Sequence, residues 1–142
     1  MASLLGIDLS KDTFHACLLS HRGEGKKVFP NSPKGFEQLV AWLRNRHADD
    51  VDICMEATGA YWEALAYYLH GLEYRVSVVN PARIKAFAQS ELLRTKTDAV
   101  DAALIARFCK SQSPEPWLPP PPEIRVLQAL IWYRSGCVER PA

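Results

Sequence analysis

Leu4-Leu5-Gly6-Ile7-Asp8-Leu9-Ser10-Lys11-Asp12-Thr13-Phe14-His15-Ala16-Cys17-Leu18-Leu19-Ser20 holds two apolar runs separated by a short polar one. Leu4 to Leu9 reads as a strand, with Leu5, Ile7 and Leu9 on one face and Leu4, Gly6 and Asp8 on the other. Ser10-Lys11-Asp12 makes a turn, and Thr13 to Ser20 is a second strand. His21-Arg22-Gly23-Glu24-Gly25 turns the chain again, and Lys26 to Phe29 forms a third, shorter strand. Connections this short make the three strands an antiparallel meander.

Downstream the period changes. Ser32-Pro33 opens a helix, with Ser32 as its cap and Pro33 at the first helical position, where a missing N–H costs nothing. Phe36, Leu39, Val40 and Leu43 then repeat with the spacing of a buried helical stripe. Val51 to Met55 is a strand ending at Glu56. Ala57-Thr58-Gly59 is a turn in which Thr58 can cap the following helix. Trp62, Leu65, Ala66 and Leu69 mark that helix, and Gly71 suits its end. Tyr74 to Val79 is the fifth strand, closed by Asn80-Pro81. Helical crossovers between strands favour parallel pairing in this half. Ala82 to Leu93 and Asp98 to Lys110 read as helices separated by Thr95-Lys96-Thr97. The prediction is an α/β fold with a mixed five-stranded sheet and flanking helices. It occupies residues 1–112. Residues 113–122, within the run Ser111 to Pro122, form a Pro-rich linker ending in Pro119-Pro120-Pro121-Pro122, a polyproline II spacer of about 12 Å. Residues 123–142 restart a helix as a C-terminal helical extension, whose apolar Val126, Leu127, Leu130 and Ile131 suggest self-association.

A chain of 142 residues, 48% hydrophobic and 23% charged, has globular composition and length for one domain. Its 17 basic and 16 acidic residues nearly cancel, which excludes a globally basic nucleic-acid coat and leaves local clustering. No stretch approaches the ~20 apolar residues of a membrane span, and the first residues lack a signal peptide's basic start. Cys17, Cys54, Cys109 and Cys137 form no CxxC and read as reduced thiols of a cytoplasmic protein.

Four acids stand where a site would put them. Asp8 and Glu56 lie at strand ends, where open sheets with parallel strands bind ligands. Asp98 and Asp101 are spaced i, i+3 in the first turn of a predicted helix, so they share a face. Read singly, each acid has an ordinary structural role, such as a cap or a dipole partner. Converging, they would need cations, and oxygen-only ligands favour Mg²⁺ or Mn²⁺. Two such ions can activate a hydroxyl and stabilise the leaving oxygen of a phosphodiester. From Pro81 to Thr97, Arg83, Lys85, Arg94 and Lys96 face one acid, Glu91, a pattern suited to backbone phosphates. Tyr61 is a candidate for stacking on a base.

Gly6-Ile7-Asp8-Leu9-Ser10-Lys11, Met55-Glu56-Ala57-Thr58-Gly59-Ala60-Tyr61, Val79-Asn80-Pro81 and Lys96-Thr97-Asp98-Ala99-Val100-Asp101-Ala102 together resemble the N-terminal domain of the DEDD transposases. These are insertion-sequence transposases related to the pilin-gene invertases. The resemblance runs from about Ser3 to Lys110. It implies an RNase H-like fold of the RuvC type, with Asp8, Glu56, Asp98 and Asp101 as a catalytic tetrad that binds Mg²⁺. It implies DNA cleavage and strand transfer in transposition, with Lys11 in the first motif among the nucleic-acid contacts. It further implies a structured guide RNA and a homo-oligomer as partners. The family's second domain, which carries a serine nucleophile, has no match in these residues. The chain is therefore expected to be a truncated form, incomplete for recombination on its own. Two other readings compete. One is a catalytically inactive nucleic-acid-binding or dimerisation remnant. The other is an actin-like ATPase lobe, weakened because no glycine-rich phosphate turn follows Asp8.

Overall fold

The computed structural model describes residues 3–48, 50–90 and 101–120. Its central strand is β1 (Ser3–Leu9). On one side β1 pairs antiparallel with β2 (Thr13–Ser20), which pairs antiparallel with the edge strand β3 (Gly23–Pro30). On the other side β1 pairs parallel with β4 (Val51–Glu56), which pairs parallel with β5 (Arg75–Val79). The order β3-β2-β1-β4-β5 is the expected meander joined to a parallel half.

Alternation along β1 separates two layers. Leu5, Ile7 and Leu9 enter the main core with Ile53 and Met55 of β4, beneath α1 (Pro33–Asn45) and α2 (Glu63–Gly71). Phe36, Leu39, Val40 and Leu43 of α1 are buried there, as their spacing predicts. Ser32 caps α1, its hydroxyl accepting from the Gly35 N–H at 3.4 Å. The opposite face carries α3 (Pro81–Ser90) and α4 (Ala102–Gln112). Leu104, Ile105 and Phe108 of α4 pack there with Cys54 and Val79. Gly6 permits the approach: a Cβ at this position would collide with the carbonyl of Ala102 and the backbone of Ala106. The described cysteines, Cys17, Cys54 and Cys109, are free and buried. Among the described residues no helix is long and apolar enough to cross a membrane.

Several boundaries differ from the sequence reading. β3 starts at Gly23, not Lys26, because His21 and Arg22 alone make the turn and Ser20 already pairs with Gly23. Thr58 does not cap α2; its hydroxyl donates to Glu56 Oε1 at 2.9 Å, and Trp62 stands at the cap. After α2 the left-handed position falls to Glu73 (φ 69°), two residues beyond Gly71. The helix predicted over Asp98 to Lys110 begins at Ala102, since Asp101 has extended backbone (φ −133°, ψ 175°) and is the cap. The first half of the predicted linker is docked on the domain. Trp117 donates its N–H to the Val76 carbonyl and sets its ring edge-on against Trp62, Tyr67 and His70. The Ser77 hydroxyl donates to the Pro114 carbonyl at 3.2 Å. The helical extension predicted over 123–142 lies outside the described residues, as does Cys137.

Candidate metal and nucleic-acid site

The parallel register of β1 and β4 pairs Ile7 with Met55, so Asp8 and Glu56 follow as the next residues on two adjacent strands. Gly6 and Cys54 face α4, and two-residue alternation puts Asp8 and Glu56 on that same face. The cap of α4 is the third acid. Asp101 Oδ1 accepts the Leu104 N–H at 2.8 Å, fixing this carboxylate at the helix start. The three acids thus come from two neighbouring strand ends and one helix N-terminus. Asp98, Arg94 and Lys96 lie outside the described residues.

The charges sense one another. The Asp8 carboxyl is pushed above its ordinary value of 3.8, first by burial, then by Glu56 and, more weakly, by Asp101; His15 opposes the shift. His15 was not singled out from the sequence, yet it is the direct partner of Asp8 across the β1–β2 ladder. The predicted turn at residues 10–12 would have paired Asp8 with Phe14; Ser10 instead bonds Thr13, so four residues separate Leu9 from Phe14 and the register brings His15 opposite Asp8. Among the described residues, no three His, Cys, Asp or Glu side chains are gathered closely enough to hold a metal ion. The donor chemistry of Asp8, Glu56 and Asp101 nevertheless suits a hard divalent cation, and a cation there would favour the ionised form of Asp8 against its burial and the charge of Glu56.

The remaining predicted contacts spread around this end of the sheet. Lys11 is exposed in the β1–β2 turn. Tyr61 is 39% exposed in the loop after β4. Asn31 ties these two loops together, its Nδ2 donating to the Ser10 carbonyl at 2.9 Å and to the Tyr61 carbonyl at 3.2 Å. Arg83 lies in the first turn of α3 with its guanidinium over the Phe108 ring, 5.4 Å from the centroid, and Lys85 is exposed two residues on. On the opposite flank a groove of about 390 Å³ runs from Asp8 and Asp101 past His15 to Lys26, Lys27 and Val28.

A family model described as a transposase, of the DEDD type, matches residues 5–141. The pilin gene-inverting protein of Moraxella lacunata is 39% identical over 133 residues, covering 92% of this chain and 41% of that protein. The protein of the same name from Moraxella bovis is similar to the same extent. The chain thus spans about two fifths of the length of these relatives. Among solved structures, T. thermophilus RuvC in complex with a Holliday junction matches 82% of this chain and all of its own, with a TM-score of 0.50 and 12% identity. That likeness carries the fold, which is RuvC-like and RNase H-like.

Proposed function

The chain belongs to the DEDD transposase family, and from that premise we propose that it is the catalytic, metal-dependent phosphodiester-cleaving domain of a DNA recombinase. The observation that carries this reading is the placement of Asp8, Glu56 and Asp101 at one end of one sheet face. Asp98, the fourth acid of the proposed tetrad, joins them by resemblance. These carboxylates would hold Mg²⁺ or Mn²⁺, which when bound supplies an activated hydroxyl and charge stabilisation of the leaving oxygen.

The chain's own residues supply the rest. Asp8 is half-buried between β2 and β4, so its carboxylate is held on strands, not on a mobile loop. Asp101 is oriented by its own capping bond. Thr58 holds one Glu56 oxygen, leaving the other free of that bond for a cation. Arg83, Lys85 and Lys11, with Arg94 and Lys96, would contact backbone phosphates, and Tyr61 would stack on a base. The same resemblance extends the proposal to a guide RNA and to self-association.

The test is Mn²⁺-dependent cleavage of a panel of branched and single-stranded DNAs by the parent chain and by Glu56→Gln. Cleavage by the parent and its loss in the variant are expected. Equal cleavage by both removes Glu56 from the mechanism. Metal-dependent DNA binding with no nicking of any substrate would favour a binding module instead.

A further inference from the structure

The helical layer over the acids covers the sheet unevenly. α4 packs on β1, β2 and β4. Over β3 it leaves the face open, so Val28, which pairs with His15 and shares its face, stays 50% exposed. The gap is the groove of about 390 Å³. Asp8, His15, Lys26, Val28, Asp101 and Ala103 line it, Lys26 from β3 and Ala103 from α4. Among the described residues, α4 lines the groove with the short side chains of Ala102 and Ala103. Lys26 reaches Glu24 at 3.4 Å, but this ion pair is exposed, with the lysine side chain 62% accessible. Such a pair contributes little and yields readily to a stronger anion.

From this arrangement we infer that the β3–α4 groove seats the backbone of a single DNA strand on its way into the acids. Lys26 contacts a phosphate, and Val28 lies against sugar or base. The inference rests on the proposed nuclease function and adds a binding flank that the sequence reading did not contain. Arg83 and Lys85 lie on α3, beyond β4 and β5. Lys26 lies across β1 and β2 from them, so one strand can be held on both sides of the acids. Charge order within the groove also favours a phosphodiester. Cations stand at the outer end, and the acids stand where divalent metal would receive the scissile phosphate.

The experiment measures binding of a fluorescein-labelled single-stranded DNA oligonucleotide by the full chain, by anisotropy, across a salt series in Ca²⁺. Lys26→Gln is compared with Lys34→Gln, an exposed lysine at the start of α1 on the other face. Removing one phosphate contact should lower the slope of log K against log salt by about 0.7 and weaken binding several-fold. Lys34→Gln should leave both unchanged. Ala103→Trp, which fills the channel without altering charge, should weaken binding by about tenfold or more. If Ala103→Trp fails to fold, the salt slope of Lys26→Gln decides alone. The inference is overturned if Lys26→Gln keeps the parent slope and affinity, or loses no more than Lys34→Gln. That result would leave the nuclease reading standing as long as the parent binds and cuts DNA. A parent chain that neither binds nor cuts removes both.

Discussion

Replacing Gly6 by alanine puts a methyl group where α4 already is. The new Cβ would overlap the Ala102 carbonyl and the Ala106 backbone N, and would sit 2.9 Å from Ala106 Cα. All three atoms are helix backbone, so no side chain can rotate away. α4 must move outward by something on the order of 1 Å, loosening Leu104, Ile105 and Phe108 from the sheet. Overpacking of this kind costs about 1–3 kcal/mol, and rigid backbone partners place Gly6→Ala at the upper end. Relief of glycine's unfolded-state entropy returns roughly 0.4–1 kcal/mol. The net loss of about 2 kcal/mol should lower Tm by roughly 8 °C for a domain of this size. Gly71→Ala provides the contrast. Gly71 ends α2 with no heavy atom near its would-be Cβ, so the same exchange should be neutral or should stabilise by up to about 1 kcal/mol. Urea and thermal melts of the two variants beside the parent decide the matter. Gly6→Ala melting at or above the parent temperature would refute the close approach of α4 to β1, and with it the placement of Asp101 beside Asp8.

Asp101→Ala should lose the cap of α4 and about 1 kcal/mol of stability, while Asp101→Asn keeps the capping oxygen and nearly all the stability; if the carboxylate serves metal, both lose Mn²⁺-dependent cleavage, which a pure capping role would leave intact in the asparagine variant. Asp8 has a raised pKa in the folded state, so folding binds a proton there. Its ionised form opposes folding at neutral pH, and its contribution to stability grows as pH falls through the raised value toward the ordinary 3.8. Asp8→Asn should therefore raise Tm in EDTA at pH 7 and flatten the acid limb of Tm against pH. With Mn²⁺ at about 100 times its Kd the parent should gain about 2.7 kcal/mol and Asp8→Asn should not, as thermal melts in both conditions will report. Trp117→Ala removes three edge-on ring contacts and should cost roughly 1–3 kcal/mol, with faster protease cutting after residue 112.

What the chain discloses before folding follows from which interactions are local. Alternation along Leu4–Leu9 assigned Asp8 to the face opposite Leu5, Ile7 and Leu9, and the Ser32-Pro33 signal placed the start of α1 to the residue. Both depend on neighbours a few residues apart. The start of α4 was misjudged for the same kind of reason, reversed. Asp98 and Asp101 have helical spacing, yet Asp101 accepts the Leu104 N–H and so lies outside the helix that it begins. An acid three residues before an apolar stripe fits a cap and a first-turn residue equally well; only the hydrogen bond separates them. Trp117 was hidden within a proline-rich run, because its partners on β5 and α2 are about 40 to 55 residues away in sequence and composition reports nothing about them.

The site itself illustrates the difference between identity and register. The acids are conspicuous as residue types, but their adjacency is a property of the β1–β4 ladder, a parallel pairing closed across some forty residues. A shift of one residue in that ladder would turn Glu56 to the core face and leave Asp8 alone. The ladder is pinned by burial: Ile53 and Met55 are fully buried on one face and Cys54 on the other, so a slipped strand would drive Glu56 into the apolar layer beneath α1 and α2. The energy that aligns Asp8 with Glu56 thus comes from the apolar residues that precede each acid, while the acids themselves repel. Burial first and the Glu56 charge second raise the Asp8 carboxyl above its ordinary value, and a divalent cation, by favouring the ionised form, should stabilise the fold and not merely occupy it.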